Sequence, residues 1–287
     1  MVSTPKEFTD LHCHSTLSDG TFTPTELITI AKKKNLIGMS LTDHDTVEGL
    51  DELTAEGLKQ QVKTITGVEL SANHGDIPVH ILGYGFDHHH PSLATSLENV
   101  QQTREIRNKK IFNNIKEMNI DISWQQIHDI AGEGQVGRPH FALFLIQQGL
   151  AQNNAEAFNL YLKKNKPAYA KRDILTIEDA IATIHDANGF AIIAHPGMLP
   201  CNQDRTMQLI DIFIEMGLDG IEVYYPTHSN TIRKRLLGLC HEKNLVVTGG
   251  SDYHGGIRPN TSLGGYQRKH YIPTTIFTEL YTLIHSR

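Results

Sequence analysis

The stretch Phe8-Thr9-Asp10-Leu11-His12-Cys13-His14-Ser15, with Asp19 close behind it, reads as a strand over Phe8–Cys13 that ends in a pair of histidines. Successive side chains of a strand point to opposite faces, so His12 and His14 share one side and Cys13 takes the other. Two parallel imidazoles make half a metal site. By itself the pair is equally two unrelated histidines in a chain that carries 17 of them. The rest of the sequence decides between these readings.

Six further apolar runs rich in branched residues follow, each leading into turn residues and then a helical pattern. They are Leu36–Leu41, Val62–Val68, Ile77–Tyr84, Phe190–Ala194, Gly220–Tyr224 and Leu245–Thr248. With the helices between them, these runs predict parallel strands buried on both faces. Seven such strands suggest an α/β barrel of the (β/α) kind, one strand short of eight.

Helix starts are written into the sequence. Thr23-Pro24-Thr25-Glu26 is a capping box with proline at the first helical position, and Asp45-Thr46-Val47-Glu48 repeats the logic with an aspartate cap. The expected outer helices are Pro24–Asn35, Thr46–Gln60, Thr176–Asn188, Gln203–Gly217 and Thr231–Lys243. From Leu97 to Asp173 there is no strand pattern, only helical segments at Leu97–Met118, Ser123–Ala131, Arg138–Gln148 and Ala155–Asn165. A structureless loop of that length does not suit a compact domain, so residues 97–173 are expected to form a small all-helical insertion capping the barrel mouth. It divides the barrel into a first part, 1–96, and a second, 174–287. Asp87-His88-His89-His90 reads as a solvated loop.

A net charge of −6, from 32 acidic and 26 basic residues, gives no electrostatic reason to expect a protein that coats nucleic acid, although it leaves room for a local basic groove. Helix Leu97–Met118 interleaves Arg104, Arg107, Lys109, Lys110 and Lys116 with Ile106, Ile111, Phe112 and Ile115. That is an amphipathic helix with a solvated basic face, or a rail for an RNA backbone. Cys13, Cys201 and Cys240 are far apart, which suits reduced thiols in a cytoplasm. Neither a secretory leader nor a membrane span is expected, so the chain reads as soluble and cytoplasmic.

Chemistry-bearing residues gather at the strand ends. His12, His14 and Asp19 follow the first run, His44 the second and Glu69 the third. His80 lies within the fourth, His195 follows the fifth, and Asp252 with His254 follows the last. Barrel enzymes place their chemistry at the carboxyl ends of strands, so these nine should converge on one mouth. Nine nitrogen and oxygen ligands exceed the needs of one metal, and imply two or three divalent ions. Imidazole and carboxylate without thiolate suit Mn²⁺, Zn²⁺ or Fe²⁺. Any one of these histidines alone is as readily a hydrogen-bonded core residue.

The set His12-x-His14, Asp19, Thr42-Asp43-His44, Gly67-Val68-Glu69, His80, Ala194-His195-Pro196 and Ser251-Asp252-x-His254 resembles the polymerase and histidinol phosphatase (PHP) family. The resemblance implies a metal-dependent phosphoesterase on a distorted (β/α)₇ barrel, with Mn²⁺ the preferred ion. By the same resemblance His12, His14, Glu69 and Asp252 would hold one ion, and Asp19, His44 and His254 a second. Glu69, His80 and His195 would hold a third, with Glu69 bridging. All nine positions carry the expected residue types.

Gly137-Arg138-Pro139-His140-Phe141-Ala142, followed by Pro167-Ala168-Tyr169, is similar to a narrower subgroup. Its members remove the 3'-phosphate of nucleoside 3',5'-bisphosphates, and some relatives act as 5'-to-3' exonucleases on short RNA. Arg138 offers a planar fork for phosphate, and His140 lies at a helix start whose free N–H groups favour anions. A surface arginine beside a capping turn is the plain alternative. Lys171 and Arg172 are further candidates for substrate binding, and Asn188-Gly189 stands where a Gly-Gly pair is more usual. Asp19, His254 and Arg138 are the expected catalytic groups, with His254 a candidate to protonate the leaving alkoxide. Glu222, Tyr225 and His228 either touch substrate or metal ligands, or pack.

The expected reaction is attack of a metal-activated hydroxide on a nucleoside 3',5'-bisphosphate. Alternatives are a 5'-to-3' exoribonuclease, a histidinol-phosphate phosphatase, and a non-catalytic metal-stabilised interaction module. The expected partners are a small nucleotide or short RNA, with no membrane and no obligate protein partner.

Overall fold

The apolar runs do become strands. The computed structural model describes residues 7–132, 135–171, 174–266 and 270–287. Within it, β1 (Phe8–Asp10), β2 (Leu36–Leu41), β3 (Lys63–His74), β4 (Ile77–Tyr84), β5 (Leu175–Thr176), β6 (Phe190–Ile193), β7 (Gly220–Tyr224) and β8 (Val246–Gly249) build one sheet. Its ladder runs β1-β2-β3-β4-β6-β7-β8, and β5 attaches to β3. A small antiparallel sheet of β9 (Thr261–Ser262), β10 (Gly265–Tyr266) and β11 (His270–Tyr271) lies apart from it, too short to announce itself in the sequence.

The sheet is not all parallel. β1, β2 and β3 pair in parallel, as do β6, β7 and β8, but β4 is antiparallel to both β3 and β6. Only Gly75 and Asp76 separate β3 from β4, too few for a crossover, and Gly75 at φ +60° makes the hairpin turn. β3 therefore continues past Glu69 to His74, and Glu69 sits inside a strand rather than at its end.

β1 is shorter than its apolar run. Beyond Asp10 the chain leans on the far end of the ladder: the Leu11 N–H donates to the Gly249 carbonyl (3.2 Å), the Asp252 N–H to His12 (2.8 Å) and the His14 N–H to Tyr253 (2.9 Å). Cys13 bridges to Tyr253, and its buried thiol points away from the histidines to donate to the Ser40 carbonyl.

Ten α-helices are found among the described residues. α1 (Pro24–Lys33) begins as its spacing requires: Thr23 Oγ1 accepts the Glu26 N–H, and the Glu26 carboxylate accepts the Thr23 N–H. α2 (Leu50–Gln60) does not begin at Thr46. Asp45 takes φ +56° and turns into the sheet, where its carboxylate accepts the Ser71 N–H (2.7 Å) and hydroxyl (2.9 Å) and pairs with Arg104. The predicted aspartate cap is spent on that bond.

α3 (Pro91–Glu117) starts six residues earlier than expected, with Pro91 in the first turn. α4 (Trp124–Ala131) is capped by Ser123, α5 (Arg138–Gln147) follows Gly137, and α6 (Asn154–Ala157) runs into a π-turn over Phe158–Leu162. The predicted helix Ala155–Asn165 thus ends early. This stretch packs on itself around Ile111, Phe112, Ile115, Ile127, Phe141, Phe144 and Leu145, with Trp124 stacked on Phe112 at 4.4 Å. On α3, Ile106 is exposed and Arg107 buried, the reverse of the amphipathic pattern, while Lys109, Lys110 and Lys116 face solvent.

α7 (Ile177–Asp186), α8 (Gln203–Glu215) and α9 (Asn230–Lys243) are capped by Thr176, Asn202 and Ser229. After α7, Asn188 takes φ +63°, a conformation asparagine tolerates in place of glycine. α10 (Thr274–His285) was not foreseen. It packs Phe277 so tightly on Gly38 that a Cβ there would lie 2.1 Å from the ring. No helix among the described residues is long and apolar enough to cross a membrane.

Candidate metal centre

Glu69, buried in β3, is the hub. Its Oε1 lies 2.7 Å from His80 Nδ1 and 3.0 Å from His195 Nε2. Its Oε2 lies 3.1 Å from His12 Nε2, 3.2 Å from His14 Nε2 and 3.3 Å from His44 Nδ1. Asp252 Oδ1 stands 3.3 Å from His14 Nε2 and 3.6 Å from His12 Nε2. Asp19 Oδ1 stands 3.1 Å from His254 Nε2 and 3.8 Å from His14 Nδ1. All nine residues named from the strand ends are brought together.

Their donor atoms fall into three groups: His12, His14, Glu69 and Asp252; His14, Asp19, His44 and His254; and His44, Glu69 and His80. The first matches the set the resemblance implies. The second adds His14. The third has His44 where the resemblance places His195, which instead approaches the same Glu69 oxygen from outside that group. Both ring nitrogens of His14, His44 Nδ1 and His254 Nε2 are buried without a hydrogen-bond partner. Buried polar atoms are seldom left unsatisfied, and imidazoles facing carboxylates at these distances fit a shell of ligands for divalent cations.

Supporting residues fix the rings. His12 Nδ1–H donates to Glu222 Oε1 (2.9 Å), which leaves Nε2 as a lone pair toward Glu69. The other Glu222 oxygen accepts the His195 N–H (2.7 Å), so one buried carboxylate sets two of the histidines. His254 Nδ1–H donates to the Asp252 carbonyl (2.9 Å). His228 accepts the Gly197 N–H (3.0 Å) and donates to Val223 (2.9 Å), holding the turn after His195.

Two buried aspartates that the sequence reading passed over hold the loops. Asp43 accepts from the Ser15 N–H and from both the Ser15 and Ser18 hydroxyls, which poises Asp19. Asp10 ties the first histidine segment to Ser251 and Gly264. Their position beside the His motifs was the available signal. Tyr225 donates to Asp252 Oδ2 (2.8 Å) and Arg258 pairs with the same oxygen. His195 at φ +30° and Asp252 at φ +54° hold left-handed backbone that non-glycine residues adopt at a cost.

The charges are strongly coupled. Burial pushes the Asp19 carboxyl up, but His254 and His44 overcome this and hold it well below the usual range. Glu69 is likewise raised by burial and lowered further by His44, His12 and His80. Burial lowers His14, yet the nearby Asp252 and Glu69 carboxylates carry it to about 9; burial wins at His44, which falls to about 3. A cavity of about 130 Å³ opens onto this cluster, lined by His44, Glu69, His80, His195, Tyr225, Asp252 and Arg258.

The substrate candidates are more dispersed. His140 is buried, and its Nδ1 accepts the Gly137 N–H (2.9 Å); burial draws it below its ordinary value, with Asp19 pulling the other way and Arg104 reinforcing the fall. Arg138 is exposed, its guanidinium 5.8 Å from the Phe158 ring centre. Lys171 is exposed within the field of Asp76. Arg172 lies outside the described residues.

An eight-stranded mixed α/β frame that gathers imidazoles and carboxylates around one bridging glutamate defines a metal-dependent hydrolase. The chain belongs to the PHP domain family, whose sequence pattern matches residues 10–183. It is a hydrolase of phosphoester bonds. It is 36% identical over 245 residues to a Haemophilus influenzae protein named 5'-3' exoribonuclease, covering 85% of this chain and 89% of that one. It is 32% identical over 246 residues to a Chromobacterium violaceum 3',5'-nucleoside bisphosphate phosphatase, covering 85% and 86%. A metal-dependent phosphoesterase structure from Bifidobacterium adolescentis superposes with a TM-score of 0.85 at 29% identity, covering 97% and 96% of the two chains.

Proposed function

We propose that the protein removes the 3'-phosphate of nucleoside 3',5'-bisphosphates. The observation that carries this reading is the contact between the Gly137–His140 turn and the edge of the nine-residue cluster. The Gly137–His140 turn lies against Arg104, since a Cβ on Gly137 would sit 3.6 Å from Arg104 Nη1, and Arg104 pairs with Asp45 next to His44. One phosphate would rest at the nine-residue cluster and the other on Arg138, His140 and Lys171. The Chromobacterium violaceum relative named as a bisphosphate phosphatase supports the same substrate.

Divalent ions, Mn²⁺ in our reading, would supply a Lewis acid for the phosphoryl oxygens and lower the pKa of water to about 7. His12, His14, Glu69 and Asp252 would hold one of them, Asp19, His44 and His254 a second, and Glu69, His80 and His195 a third. The chain's own groups do the rest. Arg258 and Tyr225 line the cavity where an esterified phosphate would enter, and orient Asp252 from outside. His254, with Nδ1–H committed to the Asp252 carbonyl, turns Nε2 toward Asp19 as a ligand of the second ion would need, which leaves that nitrogen no proton to hand to the leaving oxygen. Cys13 takes no part, because burial pushes its thiol well above the ordinary range.

In this reading the sheet closes as a distorted (β/α)₇ barrel from 1–96 and 174–287. The hydrogen bonds between residues 11–14 and 249–253 support that closure. Residues 97–173 form the cap, supported by their own hydrophobic cluster. The chain would work in the cytoplasm. A second reading, 5'-to-3' exoribonuclease, is favoured by the Haemophilus influenzae relative. Side-by-side assays on bisphosphates and 5'-phosphorylated RNA oligomers separate the two.

Arg138→Ala tests the two-anchor arrangement. A charge-assisted phosphate contact is worth about 1.5–3 kcal/mol, so KM for the bisphosphate should rise about 10–100-fold with metal content unchanged. An equal loss on a simple aryl phosphate would count against it.

A further inference from the structure

The Asp87–His90 segment reads from sequence as a solvated loop, yet two of its histidines converge on a third residue from another element. His88 Nε2 lies 2.8 Å and His89 Nε2 3.5 Å from the same oxygen, Asp51 Oδ1, at the start of α2. Adjacent side chains usually diverge. Here the turn folds them together, with Asp87 accepting the His89 N–H (3.0 Å) and the rings 4.0 Å apart. Asp87 is itself anchored by donating its N–H to Ala187 (2.8 Å).

We infer that Asp51, His88 and His89 form a surface site for one borderline transition-metal ion, Zn²⁺ or Ni²⁺, separate from the centre around Glu69. The three donor atoms lie within 4.8 Å of one another. A tetrahedral ion with ligands about 2.0–2.1 Å away sets its donors about 3.3 Å apart, a value the two observed separations bracket. Two imidazoles and a carboxylate suit Zn²⁺ and Ni²⁺ far better than Ca²⁺ or Mg²⁺. Asp51 and His89 are 73% and 69% exposed, so water completes the coordination without rearrangement.

Such an ion would clip the turn before α3 to α2. α3 carries Gln101, which donates to the Asp45 carbonyl (3.1 Å), and Arg104, which pairs with the Asp45 carboxylate beside His44. The ion would therefore steady the element that flanks the main centre while touching none of its ligands. The site stands or falls independently of the substrate.

Equilibrium dialysis of the whole protein against Zn²⁺ alone, with metal counted per chain, tests this. Wild type should bind one ion more than the His88→Ala/His89→Ala double variant. Asp51→Asn and His89→Ala, both at exposed positions, should each weaken that ion at least tenfold. Zn²⁺ should also raise the melting temperature of the Mn²⁺-loaded wild type more than that of His89→Ala. Equal stoichiometry in wild type and double variant, or equal Zn²⁺ affinity in all single variants, overturns the site.

Discussion

Glu222 shows how a single side chain governs a cluster it does not join. It accepts from both the His12 ring and the His195 backbone, in full burial. Outer partners of this kind typically cost 10–100-fold in metal affinity or activity when removed, so Glu222→Ala should lower both by about that factor while Glu222→Gln retains part of each. Metal analysis and kcat/KM check it; wild-type values in both variants would reduce Glu222 to packing. The coupled histidines predict a pH signature for the metal-free protein. His14 is raised from 6.5 to about 9, so its contribution is complete below 6.5 and is lost as pH rises toward about 9. His44 is lowered to about 3, so the unfolded chain takes up its proton first and stability falls as pH drops below 6.5. Melting temperature without metal should therefore peak near the ordinary imidazole range and fall on both sides; a flat profile contradicts the coupling. The nine cluster residues were legible because ligand types recur at strand ends. Asp10 and Asp43 were not, and Glu222 was left open between touching metal ligands and packing, since a buried carboxylate's role depends on partners as far as 254 positions away.

Among the elements, α3 joins the helical stretch to the sheet through Arg104 and Asp45. Both side chains are largely buried, and removing one partner of a buried pair strands the other charge. Arg104→Ala should cost about 3 kcal/mol in denaturant unfolding, near the lower end for such pairs because Ser71 still serves Asp45. A loss below about 1 kcal/mol would show that the pair is replaced by water. Gly38→Ala should cost about 1–3 kcal/mol, because the added Cβ meets the Phe277 ring. Strands β2 and β4 were read to the residue, since unbroken branched runs admit little else. The start of α2 was misread because Asp45 has two possible uses, as a cap or as a partner for Ser71 and Arg104, and only the folded chain decides. The direction of β4 was available in the two-residue gap at Gly75-Asp76, which a parallel reading cannot bridge.

Taken as one molecule, the protein is a PHP family phosphoesterase whose candidate metal centre gathers side chains from six separate segments of the chain. A site assembled this way has no local stability of its own. Metal removal should cost the cluster its order before it costs the fold, because the hydrophobic clusters around the sheet and the helical stretch hold independently of it. The most direct test is hydrolysis of a nucleoside 3',5'-bisphosphate by metal-stripped protein as Mn²⁺ is returned, beside Glu69→Ala. The account predicts no turnover without metal, recovery as two or three ions bind per chain, and no recovery in the variant. Full turnover by the metal-free protein, or recovery in Glu69→Ala, would contradict it.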